Sequence, residues 1–152
     1  GICRVTDLIY RKATPNDCDE IIAILRIIKQ ILPGFRDDVD VDKIKSLIDS
    51  DFFYVTLATI GGGVVGCMLG LVSEVYCTRE IHAYELVLYV DPSHRKTNVS
   101  VTLLSGFEQW AKSKGATQVW LGCAFGADND KTKRFYEKAG YQLTGFNGLK
   151  GL

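Results

Sequence analysis

The sequence predicts one α/β domain over residues 1–152, a mixed central β-sheet flanked by helices in the order β-α-α-β-β-β-α-β-α-β. Three observations carry this reading. The chain has 152 residues, 47% hydrophobic and 24% charged, the profile of one globular domain with a real core. Its apolar residues recur with helical spacing in some segments and with alternation in others. The two kinds of segment are interleaved along the chain, which favours a sheet layered with helices.

"LIYRKA" (8–13) reads as a short strand. "TPND" (14–17) opens a helix, with Thr14 at the N-cap, Pro15 at the first helical position and Asp17 three residues after the threonine. Ile21, Ile24, Leu25, Ile28, Ile31 and Leu32 then share one helix face, and "PGF" (33–35) ends it. "VDKIKSLI" (41–48) is a shorter helix striped by Val41, Ile44, Leu47 and Ile48. "FFYVTLATI" (52–60), the turn "GGG" (61–63) and "VVGCMLGLVSEVY" (64–76) form a hairpin. "IHAYELVLYV" (81–90) is a third strand beside it. Alternation there places Glu85, Val87 and Tyr89 on one face and Leu86, Leu88 and Val90 on the other. Leu103, Leu104, Phe107, Trp110 and Ala111 mark a helix that stops at Gly115. "TQVWLGCAF" (117–125) is a strand, "DKTKRFYEKA" (130–139) a helix closed by Gly140, and "YQLTGF" (141–146) a last strand.

Charge and cysteine usage remove several classes of function. Lysine plus arginine equals aspartate plus glutamate at 18 each, so the electrostatic footprint of a nucleic-acid binder is missing. No apolar run suits a bilayer and no signal-peptide pattern is visible, so no membrane partner is expected. The five cysteines, Cys3, Cys18, Cys67, Cys77 and Cys123, are scattered and form no C-x-x-C. That points to reduced thiols in the cytoplasm and away from a disulfide scaffold or a metal site. Only His82 and His94 could serve a cysteine nucleophile, and both read as structural or surface residues.

The informative stretch is "HRKTNVSV" (94–101), which leads from the third strand into a helix. The first amides of a helix are unpaired and can hold a phosphate. Glycine is absent, but so is proline from 94 to 101, and every amide there remains a donor. Asn98 tolerates unusual backbone conformations, Ser100 is small, and Arg95 and Lys96 add positive charge. Read alone, the stretch is better taken as a solvated connection.

Two patterns decide for the first reading. "NDKTKRFYEKAGY" (129–141) resembles a signature of the GNAT superfamily of acyl-CoA-dependent N-acyltransferases: Asn129, the small residue Thr132, the pair Phe135 and Tyr136, then Gly140 and Tyr141. "LYVDPSHRKTNVS" (88–100) is similar to that family's strand, proline and Arg/Gln-x-x-Gly-x-Gly/Ala loop. Arg95 fills the first loop position, whereas Asn98 and Ser100 replace the favoured small residues. The resemblance is specific over 81–141 and extends over most of the chain as element order.

The resemblance implies a GNAT-like domain that transfers an acetyl group from acetyl-CoA, a co-substrate, to the amine of a small-molecule or protein acceptor, and it is compatible with a homodimer. It implies that Arg95, Lys96, Thr97, Asn98, Val99 and Ser100 cradle the pyrophosphate. Leu88, Tyr89 and Val90 would meet pantetheine and supply an oxyanion donor through their backbone. Asn129 would hold the cofactor from the other side, with Lys131, Lys133 and Arg134 turned to its 3′-phosphate or simply to solvent. Tyr136 would protonate the departing thiolate. Its bland alternative is a core aromatic, although adjacent residues cannot share a helix face with each other. Glu85 is the candidate base, directly or through water, because it is an acid inside an apolar strand. A solvated sheet position is its alternative, and Glu74, Glu80 and Asp91 are fallbacks. The acceptor would meet the 31–42 connection and the 74–82 turn, where "DDVDVD" (37–42) reads as helix capping. A rival reading is a non-catalytic relative, viral for example, that acts through CoA or protein binding.

Overall fold

The computed structural model describes residues 7–31, 38–95, 97–122, 129–145 and 148–152, with the side chains of 29–31 and 129 excluded. Among the described residues the strands and α-helices follow in the order β1 (Leu8–Lys12), α1 (Cys18–Ile31), α2 (Val41–Ile48), β2 (Phe53–Ile60), β3 (Gly63–Glu74), β4 (Ile81–Val90), α3 (Val99–Ser113), β5 (Ala116–Trp120) and α4 (Asn129–Lys138). The strands form one sheet in sequence order. β1, β2, β3 and β4 pair antiparallel, and α3 crosses over to bring β5 parallel to β4.

Local chemistry fixes the joints. Gly61 and Gly62 carry φ values of 57° and 84°, the left-handed pair that a tight β2–β3 hairpin demands. Asp17 closes the 3₁₀ turn Pro15–Asp17 that leads into α1 by accepting the Thr14 N–H at 2.7 Å. It also takes the Arg11 guanidinium at 2.7 and 2.8 Å, which ties β1 to the start of α1. That pairing holds the Asp17 carboxyl down at about 2. Asp40 caps α2 by accepting the Lys43 N–H at 3.0 Å, as the capping reading expects.

Both faces of the sheet are covered. α3 packs Val99, Leu103, Leu104, Phe107 and Ala111 over Ala58, Met68, Val72, Ala83 and Val90. On the other face α1 and α2 bring Ile21, Ile24 and Ile48 over Val55, Leu57, Cys67 and Leu69. Full burial of each such side chain is worth about 1.5–3 kcal/mol.

The alternation expected along β4 is interrupted. Leu69 lies opposite Val87 but Gly70 opposite Glu85, so Leu86 is one residue extra and bulges. Ile81 and Ala83 pack on the α3 side, as do Leu88 and Val90, while Val87 and Tyr89 pack on the α1/α2 side. Glu85 therefore does not share a face with Val87 and Tyr89. Gly70 makes room beneath the bulge, because a Cβ there would overlap the Phe107 ring and lie 3.0 Å from the Tyr84 carbonyl.

Two further expectations differ from the structure. The strand foreseen over 117–125 ends at Trp120, with 123–125 outside the described residues. The strand foreseen over 141–146 is not formed in 141–145, and Phe146 lies outside the described residues. Tyr141 anchors this stretch by packing on the α3-side cluster and donating its hydroxyl to Glu108 Oε2 at 2.9 Å. Gln142 to Gly145 are exposed and bury no face, so alternation alone has nothing to pair with. Leu32 and "PGF" also lie outside the described residues. No described helix is long and apolar enough to cross a membrane.

Candidate active site

The site lies where β4 and β5 part. Their ladder runs from Ile81↔Ala116 to Tyr84↔Trp120 and stops. The bulge at Glu85–Leu86 follows at once, and β4 continues to Val90 with no partner on that edge among the described residues. The Asp91 N–H donates to the Val65 carbonyl at 2.8 Å. Antiparallel alternation then turns the N–H groups of Val87 and Tyr89 to β3, and those of Leu88 and Val90 to the open edge. Of the three backbone positions singled out in the sequence, Leu88 and Val90 thus present donors there, while Tyr89 does not. The Val90 carbonyl already accepts Arg95 Nε at 3.0 Å, so that arginine braces the strand end.

The described residues of the loop that follows are not left-handed. Among the described residues no non-glycine has positive φ, and Asn98 sits at φ −86°. Glycine is therefore not needed for conformation, and close approach is the one remaining reason for it. Thr97 donates its N–H to the His94 carbonyl and accepts the Val99 N–H on Oγ1 at 3.4 Å. Among the described residues the first α3 backbone bond runs from the Thr102 N–H to the Asn98 carbonyl at 3.0 Å. Among the described residues that leaves the Ser100 and Val101 amides ahead of the helical ladder, at the N-terminus of α3. Val101 was not singled out in the sequence. Lys96 lies outside the described residues.

Glu85 is half-buried, and burial pushes its carboxyl up to about 7. The Gly122 N–H donates to Glu85 Oε2 at 3.3 Å and pulls weakly the other way. The Gly122 carbonyl accepts the Tyr136 hydroxyl. Candidate base and candidate acid thus meet at one residue, which sequence reasoning missed. Gly122 acts through its backbone alone, and a Cβ there would sit 3.6 Å from Glu85 Oε2 without a clash, so no residue type betrays it. Tyr136 borders a cavity of about 870 Å³ that runs between β5, α3, α4 and the stretch after Gly140.

The remaining candidates fall elsewhere. Glu80 accepts the Thr117 hydroxyl and lies 3.1 Å from His82 Nε2, which holds its carboxyl below the usual range. Asp91 is held low by Ser93 and His94. Both are weaker bases than Glu85 for that reason. Glu74 sits exposed at the end of β3. His82 is buried and accepts Trp120 Nε1–H on Nδ1 at 3.0 Å, a structural role. Asn129 is the first residue of α4, and Lys131, Lys133 and Arg134 are exposed on it. Burial pushes the Cys67 thiol up to about 12 and raises Cys18, which suits neither as a nucleophile.

Comparison with known proteins agrees with this fold. The sequence pattern of the acetyltransferase (GNAT) family matches residues 21–141. No curated protein sequence matches the chain. Among solved structures, an aminoglycoside N-acetyltransferase, AAC(6')-Iy, in complex with CoA superposes with a TM-score of 0.80 at 17% identity, covering 100% of this chain and 99% of that one. An aminoglycoside acetyltransferase from an uncultured soil metagenomic sample, in complex with sisomicin, gives 0.76 at 20% identity over 95% and 96%. Glucosamine-6-phosphate N-acetyltransferase from Arabidopsis thaliana gives 0.74 at 16% identity over 95% and 97%. At such identities the likeness speaks for the fold.

Proposed function

Since the chain belongs to the GNAT acetyltransferase family, we propose that it is an N-acetyltransferase that uses acetyl-CoA and the pair Glu85 and Tyr136. The observation that carries this reading is their convergence on Gly122 at the point where β4 and β5 part.

Acetyl-CoA, when bound, supplies a thioester whose acyl carbon accepts an amine. The chain offers fitting partners for it: the edge amides of Leu88 and Val90 for an extended pantetheine arm, and the Ser100 and Val101 amides for a pyrophosphate. An ammonium cannot attack, so a proton must leave first. Glu85, with its carboxyl near 7, is about half ionised at neutral pH and can take that proton directly or through a water. An edge N–H of β4 can donate to the oxygen that gains charge during attack. Tyr136 carries a phenol O–H and can give its proton to the departing thiolate once its hydroxyl rotates away from the Gly122 carbonyl. The attacking nitrogen loses two protons in all. One balances the thiolate and one reaches solvent through Glu85.

The solved relatives act on unlike acceptors, aminoglycosides in one case and glucosamine-6-phosphate in another, so fold alone does not choose an acceptor. The test is a thermal-shift titration with acetyl-CoA, followed by assay of free CoA thiol in the presence of primary amines. A ligand that binds only the native state raises the melting temperature. Stabilisation without thiol release in any amine would reduce the protein to a CoA binder, and neither effect would remove the reading.

A further inference from the structure

β5 is tied to the sheet by side chains as well as by its ladder. Among the described residues it pairs with β4 alone, over Ile81↔Ala116, His82↔Gln118, Ala83↔Val119 and Tyr84↔Trp120, with an irregularity after the first rung. Two further ties run from β4 and from the residue before it. The Thr117 hydroxyl donates to Glu80 Oε1, and Trp120 Nε1–H donates to His82 Nδ1 at 3.0 Å. His82 joins the two, because its Nε2 lies 3.1 Å from the same Glu80 oxygen. A neutral ring that accepts on Nδ1 carries its proton on Nε2, which suits a carboxylate partner. His82 is 9% exposed, so loss of Trp120 as a donor would leave a buried ring nitrogen unpaired.

The Trp120 tie sits where the strands part. Tyr84↔Trp120 is the last rung, and the next residue on β4 is Glu85. Gly122 is two residues past Trp120, outside the ladder, and its N–H reaches Glu85 Oε2 at 3.3 Å. That bond is long, so a displacement of about 0.3 Å at the end of β5 takes it out of hydrogen-bond range. His82 does not itself act on Glu85 across the strand. Alternation puts His82 on the face of Tyr84 and Trp120, and Glu85 on the α3 face with Ala83. The influence of His82 on the carboxyl therefore runs through the β5 backbone. Desolvation raises the Glu85 carboxyl, and the Gly122 N–H draws it back down. Among the described residues the other titratable groups at this junction are Tyr136 on the Gly122 carbonyl, Glu80 beside His82, and Tyr84, whose ring centre lies 6.4 Å from that of His82.

We infer that His82 is a positioning residue for Glu85: by holding Trp120 it fixes the end of β5, and through two residues of backbone it keeps the Gly122 N–H on the Glu85 carboxylate. The inference deepens the transferase reading and rests on it for what Glu85 does, though not for where His82 acts. What matters at position 82 is then an acceptor for Trp120, not the titration of the imidazole. Asparagine carries an oxygen one bond beyond its Cγ, where histidine carries Nδ1, and can accept the Trp120 N–H. Leucine fills the volume and accepts nothing. Trp120→Phe keeps a ring and removes the donor.

Carboxyl-carbon NMR of the glutamate-labelled protein, with Glu85→Gln to assign the signal, reads the Glu85 titration without any need for turnover. The midpoint should rise by about half a pH unit or more in His82→Leu, because a donor that favours the carboxylate is lost. It should rise alike in Trp120→Phe, which carries the expectation if His82→Leu does not fold. His82→Asn should stay within about 0.2 pH units of the parent. Turnover of acetyl-CoA with primary amines, measured beside it, should fall about threefold more at about pH 6 than at about pH 9 in the two variants that lose the bond. His82→Asn should keep the parental profile. A midpoint unchanged in both His82→Leu and Trp120→Phe, even where melting temperatures fall, overturns the proposal and makes His82 a packing residue only. A midpoint raised as far in His82→Asn as in His82→Leu overturns it too. Raised midpoints without turnover in any protein would bear out the positioning and remove the transferase reading, whereas turnover with unmoved midpoints would do the reverse.

Discussion

Glu85 and Tyr136 are bound to the same residue: Glu85 accepts the Gly122 N–H, and Tyr136 donates to the Gly122 carbonyl. Glu85 comes from a bulged strand and Tyr136, 51 residues further along the chain, from α4. Gly122 joins them just past the end of β5.

Glu85→Gln separates the charge from the shape. Glutamine still accepts the Gly122 N–H but cannot ionise. Turnover should fall about 10²–10⁴-fold with acetyl-CoA affinity kept. Stability should respond with a definite sign. The folded carboxyl is raised from 4.5 to about 7, so the native state holds the extra proton between those values. The stability this protonation confers is full below 4.5 and lost as pH rises through 7. Melting curves should therefore show the glutamine variant above the parent at pH 8 and level with it at pH 4.5. A variant that melts below the parent at both values would mean that the carboxylate is not desolvated.

Tyr136→Phe removes one oxygen and keeps the ring. Loss of the bond to Gly122 should cost about 1 kcal/mol in urea unfolding. Loss of the acid should slow turnover about 10²-fold, near 3 kcal/mol of barrier, while acetyl-CoA binding stays within a few-fold. Parental turnover per folded molecule would assign Tyr136 to structure only.

Ser100→Glu sets helix stability against ligand binding. A carboxylate in the first turn of α3 favours the helix dipole, so the melting temperature should hold or rise. The same charge opposes a pyrophosphate at the Ser100 and Val101 amides, so acetyl-CoA should bind about tenfold more weakly, with the difference shrinking as salt is added. Unchanged affinity at low salt would move the cradle elsewhere.

Gly70→Ala tests the bulge. The new methyl would overlap the Phe107 ring, and overpacking of this kind costs about 1–3 kcal/mol. Because Gly70 lies opposite Glu85, turnover per folded molecule should fall as well. A loss confined to stability would show that the bulge tolerates the shift.

Much of the layout was legible. The ends of α2 and β4 coincide with the sequence reading because capping residues and a change of period mark them. The bulge was not legible, because both faces of β4 meet helices. A strand buried on two sides reads "ELVLYV" as apolar in either register, and a one-residue slip leaves no trace in the pattern. Glu85 was visible as an acid in that run, whereas Gly122 acts through backbone atoms that every residue shares. "YQLTGF" alternates as a strand does, but its described part has no neighbouring strand to pair with.

Mass spectrometry of a mixed primary-amine panel, incubated with acetyl-CoA and either the parent or Glu85→Gln, tests the central claim most directly. The account predicts an N-acetylated product that depends on the parent enzyme, falls about 10²-fold or more with the glutamine variant, and declines in the parent as pH drops below about 7. Product formed equally by both proteins, or by neither while both bind acetyl-CoA, would contradict it.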